Sequence, residues 1–335
     1  MMKAMVIREF GGPEVFKLEE VSKPTLKPGH VLIRVEAACM NPIDVKIRGG
    51  LVKAATETLP AILHGDVAGV VEAVADDVEM LTVGDKVYGL GGGVKGTGGA
   101  LAEYMLVDAD LLAIKPKNLF MDEAACCPVV ALTAWDALVN RGKVQVGHRV
   151  LIHGATGGVG HMAIQIAKHL GAEVYATASS DEKIKIANKL GAHHVINYKE
   201  TSVEEYVNQY TEGKGFDLVF DTVGGENLDR SFEAAAMTGT VISTNTRSTH
   251  DLSMLHAKGL NLHVVFLLLP LLHGSGRKEM GYTLRRISQL IEQEIIKPLL
   301  DEKTYGFSEV SLAHRQLESG QAIGKIALFN DLASK

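Results

Sequence analysis

The chain has 335 residues, 46% of them hydrophobic, with 35 glycines and a formal net charge of −6. That length exceeds what one hydrophobic core usually serves, so two domains are expected, and the glycine content suits a folded α/β chain with many tight turns. An acidic balance without a basic block argues against nucleic acid or an anionic membrane as partner, and the longest apolar run, 264–269, stops at Pro270, far short of a bilayer span.

Cysteine usage points the same way. Cys39 and the adjacent Cys126 and Cys127 cannot make a disulfide framework and suit a reducing, cytoplasmic setting. Arg8 and Glu9 follow a short apolar start, which does not read as a signal peptide.

In chain order, Pro28-Gly29 is a turn, 31–37 alternates as a strand, and 66–74 is another strand with Gly69 inside it. Residues 83–89 read as turn then strand, 91–99 as a glycine-rich loop, and 102–107 as a further strand. Short strands at close spacing with little helix predict a small, mostly antiparallel, barrel-like domain. The joint falls near Pro128, with a helix over 133–140 leading out of it.

A short apolar run, Val150-Leu151-Ile152-His153, then breaks into Gly154-Ala155-Thr156-Gly157-Gly158-Val159-Gly160, and a helical pattern follows at once. Strand, glycine turn and helix bring backbone N–H groups and a positive helix end up to a phosphate. The dinucleotide spacing Gly-x-Gly-x-x-Gly is met with Ala155 in the first glycine place. Further βα units come after it: strand 173–178 and helix 181–190, strand 194–197 and helix 202–211, then strand 217–221 ending at Thr222-Val223-Gly224-Gly225. A helix to about Met237, a fifth strand over 240–243 and a sixth from Leu262 to Leu267 complete a six-stranded, doubly wound parallel domain. Residues 324–328 form a last strand, expected to return to the first domain.

The chain resembles a zinc-independent medium-chain dehydrogenase/reductase of the quinone oxidoreductase (zeta-crystallin-like) group. The resemblance runs end to end on Asn41-Pro42-Ile43-Asp44-Val45-Lys46-Ile47-Arg48, Asp66-Val67-Ala68-Gly69-Val70-Val71 and Val83-Gly84-Asp85-Lys86-Val87. It continues on Leu132-Thr133-Ala134-Trp135, the glycine turn, Val195-Ile196-Asn197-Tyr198 and the segment from Phe216 to Gly224. It implies a GroES-like substrate domain over 1–127, a Rossmann domain over 128–270 that binds NADPH, and a segment over 271–335 returning to the first.

Zinc-dependent relatives in that superfamily ligate a catalytic metal with Cys, His and Cys, and the matching places here hold Asn41, Gly65 and Val129, none a zinc ligand. The structural zinc of those relatives needs four cysteines where 91–99 has none. Cys39, His64 and Cys126 lie one to three positions from those places, Cys39 and His64 are read as out of register, and no metal is expected. At the end of the second Rossmann strand an NAD enzyme carries an acid, whereas this chain has Ala178 followed by Ser179, Ser180 and Lys183. Asp181 and Glu182 fit the first turn of a solvated helix. By resemblance, Lys183 and Tyr198 flank a 2′-phosphate, which favours NADPH. The resemblance also assigns cofactor contacts to Asn41, Thr133, Thr156, Gly157, Gly158, Val159, Thr222, Val223 and Phe266.

Nicotinamide without zinc must reduce an acceptor that is already electrophilic, so a quinone is expected, with small activated alkenes (2-alkenals, enones, haloacrylates) as the alternative. Val52 stands where related 2-enoyl reductases carry a tyrosine, which weakens an acyl-thioester reading. Asn41, Asp44 and Lys46 are the candidate catalytic residues. Lys46 is suited to orient a carbonyl or feed a proton, and a structural ion pair or helix-start charges is the other account of Asp44 and Lys46. A non-catalytic NADPH- or RNA-binding role is the distant alternative. The segment from Leu262 to Leu267, as a bare apolar edge, is expected to join a homodimer.

Overall fold

The computed structural model describes residues 1–52, 55 and 58–332. Two units compose it: Met1–Val129 with Leu268–Lys335, and Val130–Leu267.

The first unit opens with a hairpin that the sequence did not disclose, β1 (Met2–Ile7) antiparallel to β2 (Phe16–Val21). β2 reads Phe-Lys-Leu-Glu-Glu-Val and buries only its first residue, so its pattern looks like loop. Met2, Ala4 and Val6 of β1 pack on Ala102. β3 (His30–Cys39) is the long central strand of a second sheet, and α1 (Pro42–Arg48) follows it. β4 (Asp66–Val74) and β6 (Tyr104–Asp108) both pair antiparallel with β3. β5 (Lys86–Leu90) joins β4, β7 (Leu112–Ile114) joins β5, and the short α2 (Met121–Ala125) comes next.

α3 (Pro128–Trp135) starts five residues earlier than the spacing suggested, on a proline whose missing N–H costs nothing at a first helical position. It runs into a wider turn over Asp136–Arg141, closed by a Gly142 N–H to Ala137 O bond of 2.8 Å. The second unit then alternates β8 (Arg149–His153), α4 (Gly158–His169), β9 (Glu173–Ala178), α5 (Asp181–Leu190), β10 (His194–Asn197), α6 (Val203–Thr211), β11 (Phe216–Asp221), α7 (Glu226–Ala234), β12 (Ala235–Ser243), α8 (Ser253–Ala257) and β13 (Asn261–Val264). Its sheet is parallel throughout, in the order β10-β9-β8-β11-β12-β13, the doubly wound arrangement. Tyr175, Tyr206, Phe216, Val219 and Phe232 fill one of its cores.

Two boundaries differ from expectation. α7 ends at Ala234 rather than near Met237, because the chain bends straight into the long, bulged β12. The sixth strand is Asn261–Val264; Phe266 and Leu267 lie in the turn ahead of the helix that begins beside Pro270.

Back in the first unit, α9 (Leu269–His273) and α10 (Arg277–Glu292) precede β14 (Tyr305–Gly306), α11 (Val310–Glu318) and β15 (Ala327–Phe329). β15 lies antiparallel to β3, pairing Ala327 with Cys39, and β14 lies parallel to β15.

Candidate functional site

In the second unit, β8, the glycine turn after it and α4 form a strand–turn–helix of the kind that suits a phosphate. α4 begins at an N-cap glycine, Gly157, and no described side chain caps it. Its first-turn N–H groups therefore stay available to an anion, with the positive helix end behind them. Gly160 must be glycine: a Cβ there would stand 2.0 Å from Gly154 O. Thr222, just past β11, donates its hydroxyl to His153 O (2.7 Å), which ties the ends of β8 and β11 together where the strand order reverses. Asp221 fixes that turn by accepting from Val223 N, Gly224 N, Asn227 Nδ2 and Ser243 Oγ at 2.8–3.1 Å.

Thr156, Gly157, Gly158 and Val159 thus lie in the turn and first helical residues, and Thr222 and exposed Val223 sit beside them in the sheet order. Thr133 is buried in α3, and Phe266 follows the end of β13.

β9 and β10 are neighbours in register, Ala178 opposite Asn197. Tyr198 N donates to Ala178 O at 3.3 Å, so the chain of Tyr198 is fastened to the segment that begins with Ser179. Ser180 is the N-cap of α5, accepting from Lys183 N at 3.4 Å. Lys183 is half-buried, Tyr198 is exposed, and Asp181 and Glu182 face solvent.

The GroES-like unit holds a buried charged cluster around Asn41. Asp44 reaches back along α1, its carboxylate accepting the Asn41 backbone N–H at 2.8 Å. Asn41 Nδ2 donates to Asp66 at 2.8 Å, and its Oδ1 accepts from Lys325 Nζ at 2.5 Å. Lys325 also donates to Met40 O, and the second Asp66 oxygen accepts from Val129 N at 3.0 Å. Asn41, Asp44, Asp66 and Lys325 are all nearly solvent-free. Burial pushes both carboxyl groups up to about 7, against the pull of hydrogen bonds and of Lys325. Burial also opposes the ammonium charge, but Cys39, Asp66, Cys126 and Asp44 outweigh it and hold Lys325 above its usual value. Near neutral pH each carboxyl group is therefore only partly ionised.

Asn41 and Asp44 are therefore brought together, whereas half-buried Lys46 is not a member of the cluster. Sequence reasoning missed Asp66 and Lys325 as site residues. The available signal was a lysine directly before the apolar run Ile326-Ala327-Leu328, where a buried position tolerates it only with a partner.

A second network lies behind it. Arg48, buried, donates to His314 Nδ1 (2.9 Å) and to Glu318 (2.6 Å), and His314 Nε2 meets His64 Nε2 at 3.0 Å. Guanidinium only donates, so His314 carries its proton on Nε2 and His64 on Nδ1. Cys39 Sγ lies 2.8 Å from Cys126 Sγ and 3.2 Å from Ile326 O. Among the described residues no three His, Cys, Asp or Glu side chains form a group able to hold a metal.

Two family models match: the alcohol dehydrogenase GroES-like domain over residues 27–117 and the zinc-binding dehydrogenase over residues 158–270. The latter span does not include the ligand-equivalent places Asn41, Gly65 and Val129. The chloroplastic NADPH-dependent alkenal/one oxidoreductase of Arabidopsis thaliana is 34% identical, over 98% of this chain and 79% of the relative. The quinone oxidoreductase of Homo sapiens is 31% identical over 98% of both. An alcohol dehydrogenase superfamily protein from Novosphingobium aromaticivorans superposes with a TM-score of 0.94 at 41% identity, covering 99% of this chain and 100% of the other. Two matched domains in this order, and identity above 30% across nearly the whole length, make the chain a member of the quinone oxidoreductase family of medium-chain dehydrogenases/reductases.

Proposed function

We propose that this protein is an NADPH-dependent, zinc-independent oxidoreductase that reduces a quinone, with small activated alkenes as the second reading. The observation that carries the cofactor choice is the joined β9–β10 end. Ser179, Ser180, Lys183 and Tyr198 gather there, and Ala178 stands where a ribose-binding carboxylate would repel a 2′-phosphate. The name of the Arabidopsis relative, an NADPH-dependent enzyme, agrees with it and supports the alkene reading. The human relative's name supports the quinone reading.

The uncapped start of α4 suits a pyrophosphate, so the residues fit the dinucleotide. When bound, NADPH supplies the hydride. Thr156, Gly157, Gly158 and Val159 would hold the pyrophosphate, with Thr133, Thr222, Val223 and Phe266 towards the rest of the dinucleotide. Asn41 would offer an amide N–H, Asp44 would brace it, and Lys46, outside the buried cluster, would orient the acceptor oxygen or deliver a proton to it. Loops such as 49–59 and 246–250 would shape the acceptor pocket, and the first of them lies partly outside the described residues.

Titration of the purified protein tests the cofactor assignment. NADPH should bind at least about tenfold tighter than NADH, about 1.4 kcal/mol, and Lys183→Ala should erode most of that margin. Equal affinities would remove the 2′-phosphate site; an unchanged preference in Lys183→Ala would remove the lysine from it.

A further inference from the structure

We infer that Lys325 is a positioning residue: its buried ammonium fixes which way the Asn41 side-chain amide faces. The inference rests on the proposed function in assigning Asn41 a role in the reaction.

An asparagine amide has two nearly equal-sized ends, and packing alone discriminates poorly between them. Here charge decides. An ammonium can only donate, so the end facing Lys325 Nζ must be Oδ1. Asp66 meets the other end, accepting from Asn41 Nδ2 at 2.8 Å, but a carboxyl group that burial raises to about 7 can also donate and does not by itself fix the amide. Flipping the amide would set its N–H groups against the Lys325 ammonium in a buried site and break a charge-assisted hydrogen bond.

The lysine is itself held rigidly. Gly324 has φ +75°, and a Cβ there would stand 2.2 Å from Leu299 O. The next residue is clamped on both sides: Lys325 N donates to Leu299 O and Lys325 O accepts from Asp301 N, both at 2.8 Å. Ile326 O then accepts from Met40 N at 3.2 Å, which ties this backbone to the residue before Asn41. The side chain, 3% exposed, has no room to choose another partner.

The test has two readouts. In labelled protein, proton exchange from the Asn41 NH2 should be slow in wild type and at least about tenfold faster in Lys325→Met, where neither flip state is enforced. A double-mutant cycle on NADPH oxidation with a quinone should then show that Lys325→Met lowers kcat/KM about tenfold or more in the wild-type background. In an Asn41→Ala background it should change kcat/KM little, because a residue acting through Asn41 has nothing left to act on. A merely structural lysine would lower both backgrounds equally. If Lys325→Met does not fold, Lys325→Gln serves in both readouts, since a neutral amide that both donates and accepts also fails to enforce the orientation. Unchanged exchange, or additive kinetics, overturns the inference. Fast exchange in the variant combined with no wild-type turnover of any quinone or enone upholds the hold of Lys325 on Asn41 and fails the proposed function instead.

Discussion

Gly160 shows how a contact outranks an intrinsic preference. On helix propensity alone, Gly160→Ala inside α4 should stabilise by roughly 0.5–1 kcal/mol. The added Cβ, however, would meet the Gly154 backbone oxygen at 2.0 Å, and backbone cannot swing away as a side chain can. The steric term wins. Gly160→Ala should destabilise by about 1–3 kcal/mol in urea titrations and weaken NADPH binding; a variant as stable as wild type would contradict the close approach. This glycine was legible in the sequence because its place in the turn motif is local. Lys325 was not, because its partner Asn41 is 284 positions away and no local pattern records that pairing.

At the scale of elements, the parallel sheet was the most readable part. Buried strands such as Phe216–Asp221 are short apolar runs bounded by glycine turns, and α5 is framed by Ser180 and Gly191. β2 escaped because its exposed face is charged, and α10 because its apolar stripe is interleaved with Arg and Lys. β13 stands at the sheet edge, as the topology required, although it is shorter than its apolar run. Val265 N already donates to Ser243 O at 2.9 Å, so in a strand the alternate residues Leu262 and Val264 turn their N–H groups outward. Val264 is exposed. A homodimer joined through this edge remains our proposal, and Val264→Pro is the variant that addresses it. Light scattering should find wild type dimeric and Val264→Pro shifted to monomer; a monomeric wild type at micromolar concentration would rule the dimer out.

For the molecule as a whole, no helix among the described residues is long and apolar enough to cross a membrane. Stability should follow the buried titratable groups. Desolvation depresses His64 to about 3, His153 to about 4 and His314 to about 2. Below the unfolded value near 6.5 the unfolded chain takes up protons that these imidazoles refuse, so each lowers stability by about 1.4 kcal/mol per pH unit on acidification. Asp44 and Asp66, raised to about 7, act oppositely: the folded state keeps protons that the unfolded chain releases above about 4. Three imidazoles outweigh two carboxyl groups that share one lysine. The urea midpoint should therefore fall between pH 6.5 and 5, and a midpoint that rises across this window would mean that the histidines are not buried neutral.

The fold class and the glycine turn after β8 follow from local patterns, whereas the acceptor depends on a pocket that no motif encodes. Hydride transfer from NADPH without zinc is proposed because Asn41, Gly65 and Val129 stand at the metal-ligand places of the zinc-dependent relatives. It is tested most directly by steady-state NADPH oxidation against a panel of quinones, enals and enones, before and after exhaustive treatment with a zinc chelator. Turnover of a quinone or an activated alkene should be unchanged by the chelator, with kcat/KM at least about tenfold higher for NADPH than for NADH. No turnover of any acceptor in the panel, or activity lost with the chelator and restored by zinc, would contradict it.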